Sequence, residues 1–376
     1  DNSFNEKNIN SSSINIQNSI IWGGIKKEEY YDVQISYSNI RGGWSGTGNI
    51  DYIPAFDSGT DYHLSDSSAC IGQGSAKDNI FLLDLDGNSR SNPEGSNPDM
   101  GCYESTIGSE PNKTLFQVPG EFTTIQSAID TARNGDTVLV ENGNYYENLI
   151  ISKKQITLGS LFIMDGDENH ILNTIIDGGG NASVLVLDSV YTTTVITGFT
   201  IKNGNASQLS NNDLNPNGYG GGIYITSTES GNITLTDLII RENTAFRGGG
   251  ISILDYNEYS EFLAPIFTLN NITIRDNVST YSGGGISIFI TNSAVINMTT
   301  MTIIDNKAEI NGGGLSIMTR GLSTLSDITI SGNEALSSGG GIAIDGGDTD
   351  DWLDYSSNVS LNHVIINNNT GSYAGG

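Results

Sequence analysis

Positive charge is what this sequence has least of. Lys and Arg number 16 against 43 Asp and Glu in 376 residues, for a formal net charge of -27. A surface so acidic excludes nucleic-acid binding, which needs clustered Lys and Arg against a phosphate backbone. It equally excludes ionic attachment to an anionic membrane. Cysteine is down to two, Cys70 and Cys102, and proline to 7. Two thiols allow one disulfide or two inert side chains, not a disulfide framework. No run of 18 apolar residues occurs, so no membrane insertion by a helix is expected. There is no P-loop, no dinucleotide-binding glycine motif after a strand, no Ser-His-Asp arrangement and no CxxC. The chain opens on Asp1-Asn2-Ser3 with no apolar leader behind it, and reads as processed, excised or partial.

Glycine, at 47 residues, is abundant and is not scattered. Gly220-Gly221-Gly222 is followed by Ile223-Tyr224-Ile225, and the same six-residue pattern returns at 248–253, 283–288, 312–317 and 339–344. Gly375-Gly376 stands where another copy would begin, so the spacings are 28, 35, 29, 27 and 36 residues. Ahead of each triplet lies a short apolar alternation closed by asparagine, as in Ile272-Thr273-Ile274-Arg275-Asp276-Asn277. Asn203, Asn243, Asn277, Asn306 and Asn333 close five such runs, and a small residue often follows two positions later (Ala245, Ser279, Ala308, Ala335). Period-2 alternation means strands with one buried face. A repeat near 30 residues built of short strands suits a coil that stacks on its neighbour, with equivalent strands pairing in parallel about 4.8 Å apart. Asparagine at a fixed place in each coil can stack as an amide ladder and tolerates a left-handed turn. Glycine triplets permit positive φ and close approach of adjacent coils. The uneven spacing places loops at 208–219 and 345–355.

These coils resemble the right-handed parallel β-helix proteins of the pectate-lyase-like fold, over residues 113–376. The stretch Phe122-Thr123-Thr124-Ile125-Gln126-Ser127-Ala128-Ile129 and the run Gly135-Asp136-Thr137-Val138-Leu139-Val140 are similar to that family's cap helix and first coil. Ile125, Ala128, Ile129 and Ala132 share one helical stripe, and Thr123 with Gln126 fits a capping box. A cap helix is expected near 123–133, covering a solenoid end.

Residues 18–104 run through Asn18-Ser19-Ile20-Ile21-Trp22, Asp61-Tyr62-His63-Leu64, Asp84-Leu85-Asp86-Gly87-Asn88 and Asp99-Met100-Gly101-Cys102-Tyr103-Glu104. This series is similar to the C-terminal module called choice-of-anchor Q of bacterial surface β-helix proteins. The resemblance implies an all-β chain of two domains, with residues 1–108 the end of one β-helix and 109–376 the head of another. Within the module, Arg90 is expected to pair with Asp99 or Glu104. Cys70 and Cys102, with 31 residues between them, are expected to be neighbours and disulfide-bonded, worth roughly 3–4 kcal/mol on loop closure.

Lyases on this fold use a basic residue beside Ca²⁺-binding carboxylates, and its hydrolases use two or three close Asp. Neither set stands out here. Lys202, Arg241 and Arg275 recur with the coil and read as solvated surface. His63, His170 and His363 are far apart and in no metal spacing. Asp345, Asp348, Asp350 and Asp351, with Asp354, crowd one inserted loop that reads as a solvated acidic turn or, through several oxygens, a Ca²⁺ site. No cofactor is required. The expected function is a non-enzymatic, extracellular or cell-surface structural or adhesive solenoid, one segment of a larger repetitive protein or filament. Its partners would be neighbouring copies or adjacent β-helix segments meeting at open coil ends, and surface carbohydrate. The alternative is a polysaccharide lyase, a glycoside hydrolase or a carbohydrate-binding β-helix, the last using Trp352 and Tyr355.

Overall fold

The computed structural model describes residues 12–23, 31–58, 60–75, 82–90, 96–106, 115–132, 135–188, 194–207, 218–226, 232–255, 265–291, 293–344 and 357–372. The acidic residues at 345–354, together with Trp352 and Tyr355, lie outside the described residues. The chain divides into two compact units, Asp1–Lys113 with Arg133–Gly135, and Thr114–Ala132 with Asp136–Gly376.

The second unit is the solenoid. From Thr194 to Ile344 each coil contributes one strand to each of three parallel sheets. A long strand comes first, such as Ile233–Arg241, Ile266–Arg275, Val295–Ile304 or Leu322–Ser331. A two-residue strand follows (Thr244–Ala245, Val278–Ser279, Lys307–Ala308), then one of four or five residues after the glycine triplet (Ile223–Thr226, Ile251–Asp255, Ile286–Ile290). Register holds from coil to coil. Ile151, Leu187, Ile225, Ile253, Ile288, Ile317 and Ile344 form one unbroken column. All but Ile344 are buried. The pairings and the stacked interior make this an all-β parallel β-helix.

The long strands run past the three to five residues suggested by the alternation. Inward residues in Ile233–Arg241 are Ile233, Leu235, Leu238 and Ile240, so the period skips one position at Asp237. Asp237 has φ 54°, and its register-mates Asn271, Thr300, Asp327 and His363 are also left-handed. That single outward residue resets the alternation and keeps both halves of the strand facing the core.

Adjacent coils approach too closely at the triplets for any side chain. A Cβ on Gly313 would sit 2.4 Å from both the Glu334 and Gly340 carbonyl oxygens. The first glycine of each triplet has φ between 58° and 70°.

Helix Ile125–Thr131 is present, burying Ile125, Ala128 and Ile129. Its N-cap is Thr124, not Thr123: Ser127 N donates to the Thr124 side chain. Gln126 does not reach back along the helix. It bonds Ile150 through both amide atoms, while Glu147 accepts from Ile125 N (2.8 Å) and Gln126 N (3.0 Å). A distant carboxylate thus satisfies the orphan N–H groups of the first turn.

In the first unit, Ser12–Gln17 pairs in parallel with Tyr31–Ser36, and Ile20–Ile21 with Asn39–Ile40. Phe56–Ser58 and Asp61–Leu64 form an antiparallel hairpin. Leu64, Cys70, Ile71 and Met100 make a small core. The expected disulfide is not formed: both cysteines are free. Cys70 is buried in that core, its Sγ 3.0 Å from Asn39 Nδ2, and burial pushes its thiol up to about 11. Met100, rather than Cys102, is the residue of the 99–104 stretch that packs with it.

Candidate binding surface

The inward asparagines form a continuous amide chain. Asn243 Nδ2 donates to Asn277 Oδ1 at 3.0 Å, Asn277 to Asn306 at 2.9 Å, Asn306 to Asn333 at 3.0 Å and Asn333 to Asn369 at 2.9 Å. Each of these Oδ1 atoms also accepts the backbone N–H of the preceding asparagine. Asn203 stands outside the chain, one position early. Its register-mate is Glu242, it adopts φ 56°, and its amide donates to Asp177 Oδ2 at 2.8 Å. Gly204 holds the ladder position, donating its N–H to Asn243 Oδ1, and Asn369 adds a member. These residues build the scaffold, and Asn243, Asn277, Asn306 and Asn333 are buried within it.

Several titratable groups also turn out to be tied into the fold. Lys154 Nζ donates to the carbonyls of Ile129, Asp130 and Ala132, which caps the helix C-terminus. Burial lowers its pKa, and it lines an open groove of about 410 Å³. Arg90 meets Glu104 Oε1 at 3.2 Å and the carbonyls of Asp99 and Gly101. Asp84 accepts from the N–H groups of Asp86, Asn88 and Glu104, closing the 84–88 turn on itself. Lys202, Arg241 and Arg275 share one outward column, each beside an acid: Asp177, Glu242 and Asp276.

His63 is a partner set that spacing did not reveal. Its Nε2 lies 2.7 Å from Asp86 Oδ2 and its Nδ1 2.5 Å from Asp61 Oδ1. The ring stacks on Tyr103 with centroids 3.9 Å apart. Asp86 and then Asp61 raise its pKa to about 9, so the ring is an imidazolium donating from both nitrogens. Nothing in the sequence pairs 61–63 with 84–86, which lie more than 20 residues apart. His170 bridges Asn142 and Asp165, and His363 lies 3.6 Å from Asp327. Among the described residues, no three His, Cys, Asp or Glu are arranged to hold a metal ion.

Two clusters of aromatic residues lie outside the main core, around the first two glycine triplets. Tyr224, outward from its strand, stacks on Tyr219 at 5.8 Å and buries with it against Leu254, Val186 and Phe289. Burial pushes the Tyr224 hydroxyl up to about 12, so it stays neutral. Arg247 is bridged to Tyr219 on the neighbouring coil. Its guanidinium carbon lies 4.3 Å from the Tyr281 ring centroid and 5.9 Å from that of Phe246, and the two rings are 5.0 Å apart. Phe246, Arg247 and Tyr281 are all half-buried.

No protein-family model and no curated protein matches the chain. A solved structure of a pectin methylesterase variant in complex with a hexasaccharide follows it over 69% of this chain and 81% of that one, at 12% identity and a TM-score of 0.34. A likeness that distant carries no argument about chemistry, and the fold rests on the strand pairing itself. Among the described residues, no helix is long and apolar enough to cross a membrane.

Proposed function

We propose that the chain is a non-enzymatic structural and adhesive β-solenoid, held outside the cell or at its surface as one segment of a larger repetitive protein or filament. The observation that carries this is the unbroken stack: six successive long strands in one register, from Thr194–Lys202 to Asn358–Asn367, with five asparagines linked through the coil interiors. Each coil is bonded to the next across three sheets, so load along the axis is shared by many hydrogen bonds. The first unit fits the role of a choice-of-anchor Q type end module. Inward-facing Ile344 and Leu361 on the outermost described coil are 47% and 49% exposed, which suits a further coil from a neighbouring copy or adjacent β-helix segment. The acidic residues Asp345, Asp348, Asp350 and Asp351 would add Ca²⁺ as an optional structural ion.

Pulling on single molecules tests the reading. Coils of 27 to 36 residues should release one at a time, each step lengthening the chain by roughly 90–130 Å. Cleavage of a polysaccharide by the chain, abolished by one Asp or Arg substitution, would overturn the non-enzymatic assignment. A carbohydrate-binding role is the second reading, favoured by the Phe246–Arg247–Tyr281 cluster.

A further inference from the structure

Arg247 differs from three other arginines among the described residues. Arg90, Arg241 and Arg275 each meet a carboxylate. Arg247, among the described residues, has neither an ion pair nor a side-chain hydrogen bond, and its Nε is buried without a partner. Carboxylates are not scarce, with 43 Asp and Glu in the chain. A buried guanidinium N–H left without an acceptor costs more than an ordinary unmade hydrogen bond. What holds the Arg247 side chain in place is aromatic: Tyr281 beneath the guanidinium and Phe246 beside it. Cation–π contact fixes the plane of the group while leaving its in-plane N–H donors unused.

We infer that Phe246, Arg247 and Tyr281 form a binding site for an oxyanion carried on a sugar ring, a sulfate ester or a carboxylate. The planar fork of donors suits two oxygens of such an anion side by side. The aromatic faces take the apolar side of the ring that bears it. The site deepens the adhesive reading, and rests on it for the expectation that the ring belongs to a surface polymer.

The test is titration of the whole chain with glucose 6-sulfate, glucuronate, glucose and inorganic sulfate, followed by calorimetry and by the Arg247 Nε–Hε resonance. Saturable binding of one or both ring-borne anions is expected, at least 10-fold tighter than glucose or free sulfate; which of the two binds separates the sources. R247Q should weaken it at least 30-fold. R247K, which keeps charge but not the fork, should weaken it several-fold, and R275Q should leave it unchanged. Binding of neither ring-borne anion, or equal binding by folded R247Q, overturns the site. Should R247Q not fold, an Nε–Hε resonance unmoved by saturating ligand overturns it just as well. Release of product from either sugar in the same tubes would instead overturn the non-enzymatic reading and leave the site standing.

Discussion

Replacing Asn306 by alanine isolates what the amide chain contributes. Asn306 is 1% exposed. Its Oδ1 accepts from Asn277 N at 3.1 Å and Asn277 Nδ2 at 2.9 Å; its Nδ2 donates to Ile274 O and Asn333 Oδ1, both at 3.0 Å. In Asn306→Ala, Asn277 Nδ2 keeps the carbonyls of Ile240 and Arg275, and Asn333 Oδ1 keeps the backbone N–H of residue 306. The Asn277 backbone N–H loses its acceptor inside the stack, a loss of about 1–3 kcal/mol. The three other bonds, at about 1 kcal/mol each and partly replaced, bring the total to roughly 3–5 kcal/mol. Asn203→Gly keeps the left-handed turn and loses one half-exposed bond to Asp177, so it should cost about 1 kcal/mol or less. Denaturant unfolding gives both values, and hydrogen exchange at the Asn277 amide localises the first. A cost below about 1 kcal/mol for Asn306→Ala, or one no larger than that of Asn203→Gly, would refute the ladder as a source of stability.

Ser323 lies in the inward column of Phe267, Ile296 and Val359, fully buried with its hydroxyl unpartnered, so Ser323→Val should stabilise by about 1–2 kcal/mol and raise the melting temperature. Gly313→Ala forces a methyl group onto two carbonyl oxygens and should destabilise by about 3 kcal/mol or more, read by the same melts. The His63 clamp has a folded pKa near 9 against an ordinary 6.5. Its contribution is therefore complete below about pH 6.5 and is lost as pH rises through 9, a decline that His63→Gln should remove from the stability profile. Denatured, unreduced protein should react with two equivalents of a thiol reagent, and in the native state Cys102 should react before buried Cys70.

The coil was legible because its signals are local. Gly-Gly-Gly-Ile-x-Ile and Ile-x-Ile-x-x-Asn each lie within six residues, and the physics of close approach and alternation acts on that scale. What escaped depends on register or on distant residues. Asn203 looks like Asn243 in its own stretch, yet Lys202 aligns with Arg241, and the one-residue difference appears only when coils are paired. The left-handed column is filled by Gly198, Asp237, Asn271, Thr300, Asp327 and His363, whose only shared property is their backbone. Glu147 capping a helix 22 residues upstream, and His63 gripping Asp86 from 23 residues away, leave no pattern in sequence. The disulfide was inferred from closeness along the module. It failed because Cys70 points into a core that Met100 completes.

The asparagine chain also gives the solenoid an electrical direction. In parallel strands the carbonyls alternate and their dipoles nearly cancel. The side-chain amides do not alternate: from Asn243 to Asn369 every oxygen faces the preceding coil and every link donates toward the next. Their dipoles add, each amide polarising its neighbour as in any head-to-tail hydrogen-bonded row. A coil laid on this stack must present its amide oxygen first; presented the other way round, it sets donor against donor. Polarity is thus written into the interior, and it dictates which face of one stack can be continued by another.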